Sequence, residues 1–193
     1  MTNRGLRFLG ACLIALPAEG AGAAGSPPLI VRVCNFSRAD NEMLSQAGAV
    51  ARRIFQEAGI ETEWVAAANP SQLDPLTLTV QIFEGRSRRL EIQDAFGVAM
   101  IAGKPAPSFL ADVFLGNIEE TANTSKDTGV LLGHVMAHEV GHLLLGGAHT
   151  PKTVMAANLG SRDLPQMKAG RVRFSQRQAE RLRAAVALRQ QAR

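Results

Sequence analysis

The sequence predicts one α/β domain built around a mixed, mostly parallel twisted sheet. Short stretches of alternating apolar residues predict strands, and a helical apolar pattern lies between the first two of them. A strand–helix–strand order favours parallel pairing, because the helix carries the chain back across one face of the sheet. The 193 residues, 46% of them hydrophobic, can bury one core without disulfides.

The predicted strands are rich in apolar and β-branched residues. They cover residues 29–36, 60–65, 76–83, 97–102 and 109–115, and the last of them is expected at the edge of the sheet. Asp40 is expected to cap a helix that runs to Ala58, because its carboxylate can accept from free N–H groups of the first turn. Gly59 ends this helix, since glycine readily adopts left-handed conformations.

A strongly apolar helix with three histidines is predicted over residues 128–145, and Gly146 and Gly147 end it. Residues 117–127 before it are polar and are expected to be irregular. Residues 148–173 after it are expected to be mostly loop. Ser175 begins a C-terminal helix, and Gln178, three residues later, completes a capping box.

Residues 1–23 have the pattern of a secretory signal peptide. Arg4 and Arg7 precede an apolar run over residues 8–16, and small residues follow at 21–23. The run is too short to span a bilayer, which needs about 20 apolar residues. The sequence therefore predicts cleavage near Ala23, a secreted or periplasmic location, and a folded domain over residues 27–193.

The two cysteines give no internal disulfide. Cys12 follows Leu9-Gly10-Ala11, which is similar to a lipoprotein signal, but it lies inside the apolar run and leaves too little chain before it. Cleavage is therefore favoured over a lipid anchor at Cys12. Cys34 then remains alone, and buried packing in the first strand is its expected role.

The net charge of +4 is modest and predicts no nucleic-acid partner and no stable membrane association. The arginines of the last helix are expected to form a solvated face: Arg177, Arg181, Arg183 and Arg189. A monomer is expected.

The chemistry-bearing motif is His138-Glu139-Val140-Gly141-His142. On a helix, residues four apart share one face and lie about 6 Å apart along the axis, so both imidazoles can hold one ion. Glu139 lies beside them, within reach of a water on that ion. This spacing is a zinc-site signature in which the glutamate is the general base.

A catalytic zinc ion needs a third protein ligand and one open position. His149 is the leading candidate, because Gly146 and Gly147 let the chain fold back after the helix. His134 is the competing histidine, but it lies about 12 Å from His142 along the helix axis, too far for one ion. His134 is expected to pack under the site or to hydrogen-bond a neighbour.

The stretch from His138 to His149 resembles the metzincin class of zinc proteases, with one extra residue between the second and third histidines. Met155, six residues after His149, looks like the methionine turn that lies beneath the metal in that class. The resemblance implies a zincin-like domain with an active-site helix, and Met155 as a structural residue under the ion. The chain has no tyrosine, so the tyrosine that some metzincins use is absent.

The sequence also resembles a group of secreted bacterial predicted peptidases. The matching segments are Val31-Arg32-Val33, Ile54 to Glu61, His138 to Gly146 and Phe174 to Ala179. Together the resemblances imply a zinc-dependent metalloendopeptidase with one zinc ion, a peptide or protein substrate, and Glu139 as the catalytic base.

The sequence leaves two alternatives open. A downstream carboxylate, Glu180, would replace His149 as the third ligand in a gluzincin-type enzyme. A non-catalytic zinc-binding protein would keep the same helix without turnover.

Overall fold

The computed structural model describes residues 27–70, 74–85, 94–103 and 108–192. The predicted signal segment and Cys12 lie outside the described residues. The strands are β1 (Leu29–Phe36), β2 (Thr62–Ala66), β3 (Thr77–Phe83), β4 (Gly97–Met100) and β5 (Leu110–Phe114). The helices are α1 (Asn41–Glu57), α2 (Leu115–Thr121), α3 (Ser125–Leu145), α4 (Leu164–Lys168) and α5 (Gln176–Gln191), with a 3₁₀ turn at Ser161–Asp163.

The five strands form one sheet in the order β2-β1-β3-β5-β4. Four strands pair in parallel, and β4 pairs antiparallel to β5. The prediction of a mixed, mostly parallel α/β sheet is therefore confirmed. The expectation that residues 109–115 form the edge is wrong, because β5 pairs on both sides and β4 is the edge strand. The alternation of a five-residue strand reveals its two faces but not the identity of its neighbours.

The apolar face of the sheet packs against α1 and α3. Val31, Val80 and Val113 of three adjacent strands are fully buried in this layer. Helix α3 is buried around most of its circumference, as expected for a helix at the centre of a core. Within the described part of the chain, no helix is long and apolar enough to cross a bilayer. Helix α3 thus carries the histidine motif as a rigid central element.

The predicted helix caps on either side of this core are confirmed. Asp40 accepts from the N–H of Met43, and Gly59 has a φ of 76°. Ser175 and Gln178 form the capping box at the start of α5. These local signals are readable from sequence because each cap is completed within a few residues.

The expectation that residues 117–127 are irregular is wrong. They contain most of α2 and the first turn of α3, which begins at Ser125 because Thr124 accepts from the N–H of Asp127. Helix α2 buries only one short apolar face, with Leu115 and Ile118 three residues apart, and two such residues are too few to show periodicity. Residues 148–173, expected to be mostly loop, also contain α4.

Arg189 corrects the prediction of a fully solvated arginine face on α5. Its guanidinium is buried and donates to the carbonyls of Pro75 at 3.0 Å, Ser108 at 2.6 Å and Leu143 at 3.4 Å. Burial lowers the pKa of Arg189 from its usual value. The other three arginines are exposed as predicted. Arg189 therefore joins α5 to the carboxyl end of α3, close to the histidines.

Close contact between α1 and α3 depends on Gly133. A Cβ at this position would lie 2.6 Å from the Ala47 carbonyl oxygen and 2.7 Å from Cβ of Val50. Gly48 on α1 is the matched control, since the nearest atom to its added Cβ is 3.8 Å away. We expect Gly133→Ala to lower the free energy of unfolding by about 1–3 kcal/mol relative to Gly48→Ala, because both gain helix propensity but only the first overpacks the core. Urea unfolding of both variants measures the difference, and equal stabilities would refute this packing.

Candidate metal centre

One turn of α3 places His138 and His142 side by side. Their Nε2 atoms lie 2.9 Å apart, and the rings meet nearly edge to face. This proximity follows from the four-residue spacing, which stacks the two side chains on one face of the helix. Both residues are buried, with only 8% of each surface exposed.

The chain then turns back and brings a third imidazole to the pair. Helix α3 ends at Leu145, and Gly146 follows with a φ of 88°, a conformation that favours glycine. This turn places Nε2 of His149 3.2 Å from Nε2 of His142. The ligand-capable atoms of the three histidines all lie within 4.8 Å of one another.

The three nitrogens fit a zinc ion. Two nitrogens held at about 2.0–2.1 Å by tetrahedral zinc are separated by roughly 3.3 Å, close to the separations from His142 to each neighbour. The second nitrogen, Nδ1, of each helical imidazole is hydrogen-bonded to a backbone carbonyl. Nδ1 of His138 donates to the Val154 carbonyl at 2.7 Å, and Nδ1 of His142 donates to the Gly146 carbonyl at 2.9 Å. A carbonyl only accepts, so each neutral ring carries its proton on Nδ1 and presents a lone pair on Nε2.

Burial favours the neutral form of the two helical histidines, His138 and His142. The pKa of His138 is lowered to about 4, mainly by burial and partly by the neighbouring His142 and His149, while the hydrogen bond to Val154 opposes the shift. Burial also lowers the pKa of His142. Because a metal binds the deprotonated imidazole, protons compete weakly with a metal ion here except in acid.

Met155 lies directly under the helix turn that carries the motif. It is fully buried, and a Cβ on Gly141 would approach its Sδ to 2.5 Å. Its own segment is fixed, because its carbonyl accepts from the N–H of Thr150 at 2.8 Å and the preceding Val154 carbonyl holds His138. The absence of a side chain at Gly141 therefore admits Met155 beneath the site.

Glu139 lies beside the histidines and is 4% exposed. The backbone N–H of Ala99, in edge strand β4, donates to its carboxylate. Its Oε2 is buried without a hydrogen-bond partner among the described residues. The pKa of Glu139 is raised to about 8, mainly by burial, with the Ala99 N–H opposing the shift and the nearby Asp112 adding to it. A cation held by the histidines would favour the ionised form.

The two alternative metal ligands, His134 and Glu180, lie apart from the three histidines. His134 is fully buried, and its Nδ1 lies 2.9 Å from the Val130 carbonyl. Glu180 is exposed on α5, where Gln176 donates to it at 3.2 Å. Within the described part of the chain, neither residue joins the cluster of metal-capable atoms formed by the three histidines.

A cleft of about 450 Å³ opens over the histidines and Glu139. Residues of edge strand β4 line it, and the chain after Met155 contributes Ala156 to Leu159. Sequence reasoning missed the residues of β4 that contact Glu139, Gly97 and Ala99. No local signal identifies them, because their role depends on where β4 pairs in the sheet.

The buried carboxylate of Glu139 makes the stability of the metal-free protein depend on pH. Its folded pKa of about 8 exceeds the unfolded value of 4.5, so its contribution is complete below pH 4.5 and is lost as the pH rises through 8. We expect metal-free Glu139→Gln to melt higher than wild type at pH 9, with the gap closing towards pH 5. Thermal melts in chelator across this range measure it, and a gap that is constant with pH would contradict the burial of the charge.

No protein-family model and no curated protein matches this chain. Solved structures do match. The chain is similar to an archaemetzincin from Methanopyrus kandleri, with 15% identity and a TM-score of 0.60, over 85% of this chain and 98% of that one. It is also similar to a zinc-dependent peptidase from Methanocorpusculum labreanum, with 13% identity and a TM-score of 0.56, over 79% and 99% of the two chains. The chain therefore has the α/β fold of these zincin-like structures.

Proposed function

We propose that this protein is a zinc metalloendopeptidase in which His138, His142 and His149 hold one zinc ion and Glu139 is the general base. The observation that carries this proposal is the convergence of three Nε2 atoms beside a buried carboxylate whose Oε2 has no partner in the described protein. A buried, unpartnered carboxylate oxygen is costly unless a bound group completes it. The two similar structures, an archaemetzincin and a zinc-dependent peptidase, support the same chemistry.

The residues around the site have separate roles in the proposed peptide hydrolysis. When bound, zinc polarises a carbonyl and lowers the pKa of a coordinated water towards about 7. Glu139 would take a proton at Oε2 from the water whose oxygen bonds to the peptide carbonyl carbon, and would deliver it to the amine nitrogen as the C–N bond breaks. The Val154 and Gly146 carbonyls fix the two helical imidazoles in the tautomer that binds metal. Met155 supports the helix turn from below.

The open edge of β4 favours an extended polypeptide as the substrate. This strand pairs only with β5 within the described sheet, and its residues Gly97, Val98 and Ala99 line the cleft. An extended peptide can add to such an edge through main-chain hydrogen bonds. The main-chain hydrogen bonds of an added strand do not depend on the side chains of the substrate. This mode of binding therefore fits a protease that recognises the peptide backbone more than a particular sequence.

Metal removal and restoration test this function. We expect the purified protein to bind one equivalent of zinc and to cleave a denatured protein such as casein. Chelation should abolish cleavage, and stoichiometric zinc should restore it. One equivalent of bound zinc without cleavage of any denatured protein would instead identify a non-catalytic zinc-binding protein and overturn the proposal.

We further propose that the protein is exported, on the pattern of Arg4, Arg7 and the apolar run at residues 8–16. Expression of the full chain in a bacterium should yield a mature protein that begins near residue 24 outside the cytoplasm. N-terminal sequencing of the fractionated protein measures this, and an intact Met1 in the cytoplasm would refute export.

A further inference from the structure

Two residues of edge strand β4, Gly97 and Ala99, have backbone N–H and carbonyl groups that do not bond to β5. The N–H of Phe114 donates to the Phe96 carbonyl at 2.8 Å, which makes this pair a hydrogen-bonded one. Hydrogen-bonded and non-bonded pairs alternate in an antiparallel ladder, so Val98 and Met100 bond to β5. Gly97 and Ala99 therefore direct their N–H and carbonyl groups to the open edge.

The carboxylate of Glu139 contacts this open edge of β4. The N–H of Ala99 donates to its carboxylate, although no strand pairs with β4 on that side in the described sheet. Gly97 lies against the same side chain, because a Cβ there would come within 2.8 Å of both Cγ and Oε1 of Glu139. Oε1 thus packs against the strand, and Oε2 is the oxygen left without a partner.

We propose that Gly97 and Ala99 are positioning residues for Glu139. Ala99 anchors the carboxylate through its N–H, and Gly97 leaves the space in which Oε1 lies, so Oε2 is the oxygen kept free of protein partners. The sheet edge, in addition to α3, then sets where the base lies. This inference rests on the proposed function of Glu139.

The arrangement also limits how a peptide can pair with β4. The Ala99 N–H is engaged by Glu139, so an added strand is left with the N–H and carbonyl of Gly97 and the carbonyl of Ala99. Substrate pairing and orientation of the base therefore use different groups of the same two residues. A change that removes only the Ala99 N–H should affect turnover more than substrate binding.

Ala99→Pro makes this change. Proline lacks the N–H but is accepted on edge strands where that group faces outward, and the ladder bonds of β4 to β5 do not involve Ala99. For the zinc-loaded protein we expect kcat to fall by about 100-fold, the cost of a misplaced catalytic group, with KM and zinc affinity within about twofold of wild type. Met100→Pro, which breaks a ladder bond, is the structural comparison and should lower the melting temperature.

Gly97→Ala provides a second variant should proline at 99 disturb folding. We expect a similar loss of kcat at unchanged zinc affinity, whereas Gly103→Ala, whose added Cβ meets nothing within 4 Å, should retain full activity. The Cβ at Gly97 would also approach the Asp112 carbonyl to 2.8 Å, so a loss of stability alone does not distinguish the two roles. A double-mutant cycle with Glu139→Gln distinguishes positioning of Glu139 from general packing of the strand.

If Gly97 and Ala99 act through Glu139, neither substitution should reduce the residual activity of Glu139→Gln further. Losses that multiply in that background would overturn the proposal, as would wild-type kcat in both Ala99→Pro and Gly97→Ala. Failure of the proposed function is distinct from both, since the wild-type protein would then cleave no peptide.

Discussion

Glu139→Gln is expected to lower kcat by about 10²–10⁴-fold while one zinc ion stays bound. Glutamine has nearly the same size and can still accept the Ala99 N–H, so the packing against Gly97 is preserved. It cannot take a proton from water, and that step is the one assigned to Oε2. Steady-state cleavage of a fluorogenic peptide measures the loss, and elemental analysis measures the zinc.

Glu180→Gln is the matched control, because Glu180 is an exposed carboxylate on α5 outside the histidine cluster. It should leave both kcat and zinc content at wild-type values. Retention of peptide cleavage by zinc-loaded Glu139→Gln would show that another group is the base. Loss of zinc from that variant would show that Glu139 is a ligand.

His142→Ala is expected to weaken zinc binding by at least about 100-fold and to abolish peptide cleavage. Zinc sites have total binding free energies of about 10–16 kcal/mol shared among a few ligands, so each ligand contributes several kcal/mol. His142 lies between the other two rings, at 2.9 Å and 3.2 Å from their Nε2 atoms. Competition with a chromogenic chelator measures the affinity.

His149→Ala and Glu180→Ala identify the third ligand. We expect His149→Ala to weaken zinc binding about as strongly as His142→Ala, and Glu180→Ala to leave it unchanged. His134→Gln should also retain zinc, since His134 bonds the Val130 carbonyl and lies outside the cluster. The opposite ranking of His149→Ala and Glu180→Ala would replace the three-histidine site with a gluzincin-type one.

The parts of the structure that sequence predicts are those determined within one or two turns of chain. Asp40, Gly59 and the Ser175–Gln178 box act on neighbours a few residues away, so their positions alone fix the helix ends. The same holds for His138 and His142, which one helix turn brings together. The location of His149 followed from the glycine exit, and the structure places its ring beside the other two.

The parts that sequence did not predict depend on contacts between distant segments. Gly97 acts on Glu139, 42 residues later, only because β4 is the antiparallel edge strand. The sequence pattern predicts that Arg189 is a surface arginine like its neighbours. In the structure its guanidinium bonds three carbonyls, two from separate loops and one from α3. Neither pairing order nor a buried guanidinium leaves a periodic signal in the sequence, because each is set by tertiary packing.

Anomalous diffraction at the zinc edge, from crystals of the mature protein grown with one equivalent of zinc, tests the central claim most directly. We predict a single peak about 2.0–2.1 Å from Nε2 of His138, His142 and His149, with Oε2 of Glu139 facing its open coordination position. A peak at any other set of residues, or no peak at these three rings, would contradict the site and the proposed enzyme with it.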